Sequence, residues 1–243
     1  MRLDGKNVWI TGGSSGIGAG LARELRARGA QVAISARRAD ALDLVSDGQM
    51  FVRPADVTSR EDMHDAAEDV IERLGGIDIA IFNAGAAPGI PAHKWNSAKI
   101  GALFDLNVMG LVHGVEAVLP GMRERRSGVI VGVASMAGYR ALPGATVYSA
   151  TKAAMITMLE GLRGELARDG IRVQTVCPGY VATPLTEGNT GPMPGLVSAE
   201  KAARRIAAGI EAGRAEIVFP WHIGAALKLA RNIPTGLWSR FVG

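Results

Sequence analysis

Short, continuously apolar runs that alternate with longer stretches of helical spacing constrain this chain more than any other feature. The runs fall at residues 7–11, 31–35, 50–53, 77–82, 128–133, 172–176 and 216–219. Runs this short and this apolar suit strands buried on both faces, and parallel neighbours need a long crossover between them. The alternation therefore predicts an α/β chain of about seven parallel strands flanked by helices. Between the third and fourth runs, Met63, Ala66, Ala67, Val70, Ile71 and Leu74 form one stripe at three- and four-residue steps. Thr58 with Glu61 makes a capping-box pattern at its start, and Gly75-Gly76 closes it. A second helix carries Met155, Leu159, Leu162 and Leu166 on one face and ends at Asp169-Gly170.

At 243 residues the chain suits a single domain. Residues 1–219 are expected to form its body and 220–243 a tail of the same domain. There is no internal repeat, low-complexity block or linker. With 48% hydrophobic and 21% charged residues, the composition is that of a soluble globular protein. The formal charge of +4 comes from scattered Arg, with one dense cluster, Arg123-Glu124-Arg125-Arg126. That cluster follows an apolar helical run, where cations suit the helix dipole, and no aromatics interleave with it, so nucleic acid is not an expected partner. The single Cys177 lies in an apolar run and cannot form an internal disulfide. The N-terminus lacks a secretory signal pattern, and no run of about eighteen apolar residues is present. A cytoplasmic protein is expected. His64, His93, His113 and His222 are scattered without metal-ligand spacing, so no metal site is expected.

The first run leads into Thr11-Gly12-Gly13-Ser14-Ser15-Gly16-Ile17-Gly18 and then a helix with Leu21 and Leu25. Glycines here permit a tight turn and let a pyrophosphate approach free N–H groups at the helix start. The spacing differs from G-x-G-x-x-G, and an ordinary strand-to-helix turn is the alternative. At the end of the second run stand Arg37 and Arg38, with no acid where one would bond the ribose of NAD. A guanidinium forks onto a 2′-phosphate, so this pair favours NADP(H) over NAD(H); a solvated helix-opening pair is the bland reading.

Tyr148 and Lys152 lie four residues apart at a helix start, hence on one face. A cation about 4 Å from a phenol is worth roughly 4 kcal/mol at an effective dielectric of about 20. The sequence thus predicts a phenol pulled down by about three pH units before desolvation acts. Ser135 ends an apolar strand upstream, and Asn83-Ala84-Gly85 and Asn107 follow other elements of the same half.

Taken together, Thr-Gly-x-x-x-Gly-x-Gly at 11–18, Asp56, Asn-Ala-Gly at 83–85, Asn107, Ser135, Tyr-x-x-x-Lys at 148–152, and Pro178-Gly179 with Thr183 resemble the short-chain dehydrogenase/reductase family over nearly the whole chain. The resemblance implies a Rossmann-type doubly wound sheet and a hydride-transferring oxidoreductase acting on a carbonyl or alcohol. It implies a catalytic set in which Tyr148 moves the proton, Ser135 bonds the substrate oxygen, Lys152 tunes the phenol and holds the nicotinamide ribose, and Asn107 supports a water relay. For the cofactor it implies Gly12, Ser14, Ser15, Gly16, Ile17 and Gly18 on the phosphates. Asp56 and Val57 would meet the adenine, and Asn83, Ala84 and Gly85 the adenosine side. Pro178, Gly179, Val181 and Thr183 would flank the nicotinamide or phosphates, with Tyr148 and Lys152. A homo-oligomer, dimer or tetramer, is implied as well. A sensor or scaffold that binds NADP(H) without turnover is the rival reading.

The C-terminal segment departs from the family's common ending. After Phe219-Pro220-Trp221, Ile223, Leu227, Ala230 and Ile233 recur at helical steps, with Lys228 and Arg231 off that stripe, and the chain closes on Leu237-Trp238-Ser239-Arg240-Phe241. A lid over the cleft, an oligomer contact and a peripheral membrane contact all suit such a tail. Residues 86–96 and 178–197 look irregular and follow strand ends, where open α/β sheets bind ligands. Candidate walls of an apolar substrate site are Met136, Tyr139, Leu142, Tyr180, Leu185 and Met193.

Overall fold

Side chains along a strand alternate between faces, and β1 (Asn7–Thr11) divides its residues accordingly. Val8 and Ile10 join one buried cluster, with Leu21, Leu25, Ile34 and Ile206. Trp9 joins the other, with Met63, Val70, Leu111 and Leu159. The same division recurs in β4 (Ile79–Phe82) and β5 (Gly128–Val133), so the sheet is covered on both sides. Each fully buried aliphatic side chain contributes about 1.5–3 kcal/mol relative to exposure.

The computed structural model describes residues 1–141 and 144–242. After β1 come α1 (Gly16–Ala27), β2 (Gln31–Ser35), α2 (Ala39–Ser46), β3 (Phe51–Val52) and α3 (Arg60–Leu74), which lead to β4. Helices α4 (Ser97–Phe104) and α5 (Gly110–Glu124) flank a π turn at Asp105–Met109 and precede β5. Then follow α6 (Thr146–Leu166), β6 (Ile171–Pro178), the short pair β7 (Val181–Ala182) and β8 (Val197–Ser198), α7 (Ala199–Glu211), β9 (Glu216–Phe219), α8 (Trp221–Ala230) and α9 (Thr235–Val242). The seven-stranded sheet runs β3-β2-β1-β4-β5-β6-β9, with every pair parallel. The order in which strands are added reverses between β1 and β4, which opens a crevice at their carboxyl ends.

Several local expectations shift. The N-cap of α3 is Ser59, whose hydroxyl accepts from the Asp62 amide at 3.2 Å, not Thr58. Thr58 is drawn away because its hydroxyl donates to Asp56 Oδ1 at 2.8 Å. The far end closes as expected, with Gly75 at φ 81°. Only Phe51 and Val52 of 50–53 pair as strand, and β4 begins at Ile79; the Asp78 carboxylate just before it accepts from the Asn7 amide at 3.0 Å. Ser97–Glu124 forms one helix long and apolar enough by composition to cross a membrane, although the sequence shows no unbroken apolar run of that length. Its residues Leu111, Val115, Val118 and Met122 are buried in the core beside α3. The basic cluster is engaged locally: Arg123 pairs with Asp169 at 2.7 Å, Arg125 donates to the Ile77 carbonyl, and Arg126 donates to the Arg168 carbonyl at 2.7 Å. His113 bonds the Val57 carbonyl at 3.0 Å. In the tail, Ile223 and Leu227 pack on the core cluster and Ala230 is buried, so the apolar stripe of α8 faces the chain's own body.

Candidate active site

The glycine turn after β1 is held tightly. A Cβ at Gly18 would lie 2.1 Å from the Gly12 carbonyl oxygen, so no side chain fits there. Asn83 Nδ2 donates to the carbonyls of Thr11 and Gly12 at 3.2 and 3.1 Å, and Thr11 Oγ1 accepts from the Asn83 and Ala84 amides. Asn83 and Ala84 thus brace the loop from β4. The N-cap of α1, Ser15, makes no side-chain capping bond, and the first turn holds no acid. Its free N–H groups and the helix dipole suit an anion. A cavity of about 580 Å³ adjoins this turn, lined by Ser14, Ser15, Gly16, Thr183, Met193 and others. Thr183 thus meets the phosphate loop, and Met193 lines the same cavity.

Arg37 and Arg38 follow β2 as exposed residues, and neither guanidinium has a hydrogen bond or ion pair among the described residues. Asp56 Oδ1 accepts from the amide and hydroxyl of Thr58, and Val57 is buried. Buried Pro178 ends β6, half-buried Gly179 follows it, and buried Val181 opens β7.

Four further residues converge beyond the ends of β4 and β5. The π turn places buried Asn107, which accepts from the Ala86 amide at 2.9 Å through Oδ1 and donates through Nδ2 to the Ala86 carbonyl and Thr151 Oγ1, both at 3.0 Å. Thr151 Oγ1 donates in turn to the Tyr148 carbonyl at 2.7 Å. Extra residues wound into a helix in this way often mark functional sites. Ser135 follows β5 and caps a 3-10 turn over Met136–Gly138, its hydroxyl accepting from the Ala137 amide at 3.2 Å, and it stands near enough to the Tyr148 phenol to lower its pKa. Lys152 Nζ lies 5.8 Å from the Tyr148 ring centre and donates to the Val133 carbonyl at 3.0 Å and to Met155 Sδ at 3.4 Å. A Cβ at Gly85 would stand 3.0 Å from Asn107 Oδ1 and 3.4 Å from Lys152 Nζ, so Gly85, Asn107 and Lys152 share one spot.

Electrostatics here differs from the sequence expectation. Burial pushes the Tyr148 phenol above its ordinary value, only partly opposed by the Ser135 hydroxyl, with buried Cys177 adding to the rise. Burial likewise depresses the Lys152 ammonium to about 8, against a smaller raising influence of Cys177. Desolvation is the largest influence on both groups and sets the direction of both shifts. Among the wall candidates, Met136 is buried beside Ser135, while Tyr139 turns away and donates to Glu216 at 2.5 Å. Tyr180 is half-buried, Leu185 is exposed, and Leu142 lies outside the described residues.

These residues fit a nicotinamide dinucleotide. The α1 terminus would hold its pyrophosphate. Lys152, with three donors, one carbonyl acceptor and a weak sulfur contact, has capacity for a ligand hydroxyl. Sequence reasoning missed Thr151 and Thr11 as bracing residues. Both stood inside the quoted motifs, yet only tertiary contact reveals what they hold.

The description "short chain dehydrogenase" belongs to the family model that matches residues 6–192. An uncharacterized oxidoreductase of Myxococcus xanthus is 36% identical over 239 residues, 96% of this chain and 94% of that protein. A short chain dehydrogenase of Burkholderia cenocepacia, solved in complex with NADP, is 29% identical with a TM-score of 0.85 over 100% of both chains. A Burkholderia phymatum short chain dehydrogenase/reductase solved with NAD shares the fold at a TM-score of 0.85, with 23% identity and coverage of 94% of each chain. With the sheet order, the braced glycine turn and the Ser135–Tyr148–Lys152 cluster already in place, the match leaves one assignment: the chain belongs to the short-chain dehydrogenase family and is an oxidoreductase of it.

Proposed function

We propose that this chain is an NADP(H)-dependent carbonyl reductase, reversible to alcohol oxidation, with Tyr148 as its acid/base. The observation that carries this reading is the gathering of Lys152, Asn107 and Ser135 around Tyr148 at the ends of β4 and β5. The dinucleotide, when bound, supplies the hydride donor or acceptor. Tyr148, protonated at neutral pH with its pKa raised further by burial, gives its proton to the substrate oxygen as negative charge grows there. Ser135 donates a hydrogen bond to the same oxygen, so two prearranged donors meet the developing charge. Lys152 holds ribose hydroxyls with its unused donor capacity, and Asn107 fixes α6 against the loop after β4. Proton return from solvent by way of Asn107 completes the cycle in this reading.

The NADP(H) preference draws on the exposed and unpartnered Arg37 and Arg38, and on the NADP complex of the Burkholderia cenocepacia relative. The substrate class is a small carbonyl or alcohol. Tyr148→Phe tests the proton role: NADPH binding persists while reduction of a ketone panel falls by about a thousandfold or more, within the usual range for general acids. Retained turnover rejects Tyr148. Binding of NADPH by the wild-type chain with no substrate-dependent oxidation supports a sensor instead.

A further inference from the structure

The tail beyond β9 is fastened to the stretch that joins Ser135 to Tyr148. Arg140 Nη2 donates to the Ile233 carbonyl at 3.1 Å, and its guanidinium lies 5.2 Å from the centre of the Trp238 ring. The Trp238 indole N–H donates to the Ala141 carbonyl at 3.1 Å, across 97 residues of sequence. One residue earlier, Tyr139 is held by Glu216 of β9, which pairs with Lys228 of α8, and the Lys228 ammonium lies 5.1 Å from the Tyr139 ring centre. Ile223 and Leu227 pack on the cluster containing Met136 and Tyr139. Three successive residues, 139–141, are thus each gripped from the C-terminal side. The tail also lies past residue 192, where the match to the family model stops.

We propose that the C-terminal tail is a latch on residues 139–141, with Trp238 as the positioning residue that sets the part of the cleft wall they form and so decides which substrates enter. A wall carried on a loop is defined only as well as its supports, and a stacked guanidinium with an indole hydrogen bond is a rigid one. That the segment borders a substrate cleft rests on the function proposed above; the latch contacts do not.

Trp238→Ala is the test, with Trp238→Phe keeping the ring face but lacking the N–H donor. Amide hydrogen exchange needs no substrate and reads the latch directly. Exchange at the Gly138 and Tyr139 amides, which donate to the Ser135 and Met136 carbonyls beside the latch, is expected to quicken by about tenfold in Trp238→Ala, less in Trp238→Phe, with β1 and β4 unchanged. In steady-state reduction of ketones graded by size, KM for the largest falls by about tenfold in Trp238→Ala relative to that for the smallest, while kcat stays within about twofold and NADPH affinity holds. Unchanged exchange at these two residues overturns the latch. Faster exchange with KM unchanged across the size series overturns the specificity role. A wild-type chain inert toward every carbonyl and alcohol rejects the proposed function, and the exchange result still decides the latch.

Discussion

Replacing Lys152 by Met removes a buried ammonium while keeping an unbranched side chain of similar length. Lys152 is 4% exposed, and its pKa stands at about 8 against an ordinary 10.5. Between those two values the unfolded chain binds a proton that the folded chain has released, so stability rises with pH across that interval. Below about pH 8 both states carry the charge, and the full desolvation penalty acts on the folded one. Above 10.5 neither does. At about 1.4 kcal/mol for each tenfold change, the interval is worth about 3 kcal/mol. Urea denaturation of wild-type protein and Lys152→Met at a series of pH values from 7 to 10.5 isolates the effect, because other titrating groups largely cancel in the difference. The wild type is expected to gain about 3 kcal/mol on the variant over that range. A difference constant to within about 1 kcal/mol would refute the claim that the ammonium is held against its solvation preference.

Binding offers a parallel check: NADPH affinity of the free enzyme weakens as pH rises through about 8, where Lys152 loses its charge, and Lys152→Met removes that dependence in calorimetric titrations. Arg37→Ala lowers NADPH affinity by about ten- to a hundredfold and leaves NADH within about twofold; equal losses, read by fluorescence titration, undo the 2′-phosphate assignment. Asn107→Ala takes the side-chain partners from the Ala86 amide and carbonyl and one donor from the Thr151 hydroxyl, lowering stability by about 1–3 kcal/mol in denaturant melts together with kcat. Gly18→Ala drives a methyl into the Gly12 carbonyl, so thermal unfolding occurs earlier and dinucleotide binding is lost; a stable variant that binds normally contradicts the tight turn.

What could be read from the sequence was whatever a local period or a short motif encodes. Apolar runs such as Val8 to Ile10 declare a buried strand wherever they occur, and the 11–18 glycine pattern can form only a close turn. The start of α3 was misplaced by one residue because Asp56 captures the Thr58 hydroxyl, a competition between two local bonds that the capping pattern does not weigh. The direction of the Tyr148 shift was misread for a deeper reason. Charge separation can be guessed from helical spacing, but desolvation depends on β5, β6 and the turn after Ser135 closing over the pair.

The same reasoning explains why the tail stayed ambiguous. The stripe of Ile223, Leu227 and Ala230 shows that α8 covers something, and period alone cannot say whether that is lipid, a second chain or its own core. The structure seats the stripe on its own core and places Arg140 against Trp238, a meeting between residues 98 apart in sequence. Burial at Tyr148 and Lys152 works against ionisation of the phenol and protonation of the amine, yet both groups stay where a polar ligand would relieve them. A site that places its donors in the resting state gains differential binding when charge develops on the substrate oxygen, because the donors need little reorganisation. On that argument, loosening the 139–141 wall admits water as well as larger substrates, and the Tyr148 phenol in Trp238→Ala shifts back toward its ordinary value. Ultraviolet titration of the phenols in Trp238→Ala against the same variant carrying Tyr148→Phe reads that shift; a Tyr148 titration as high as in the wild type would separate the tail from the chemistry.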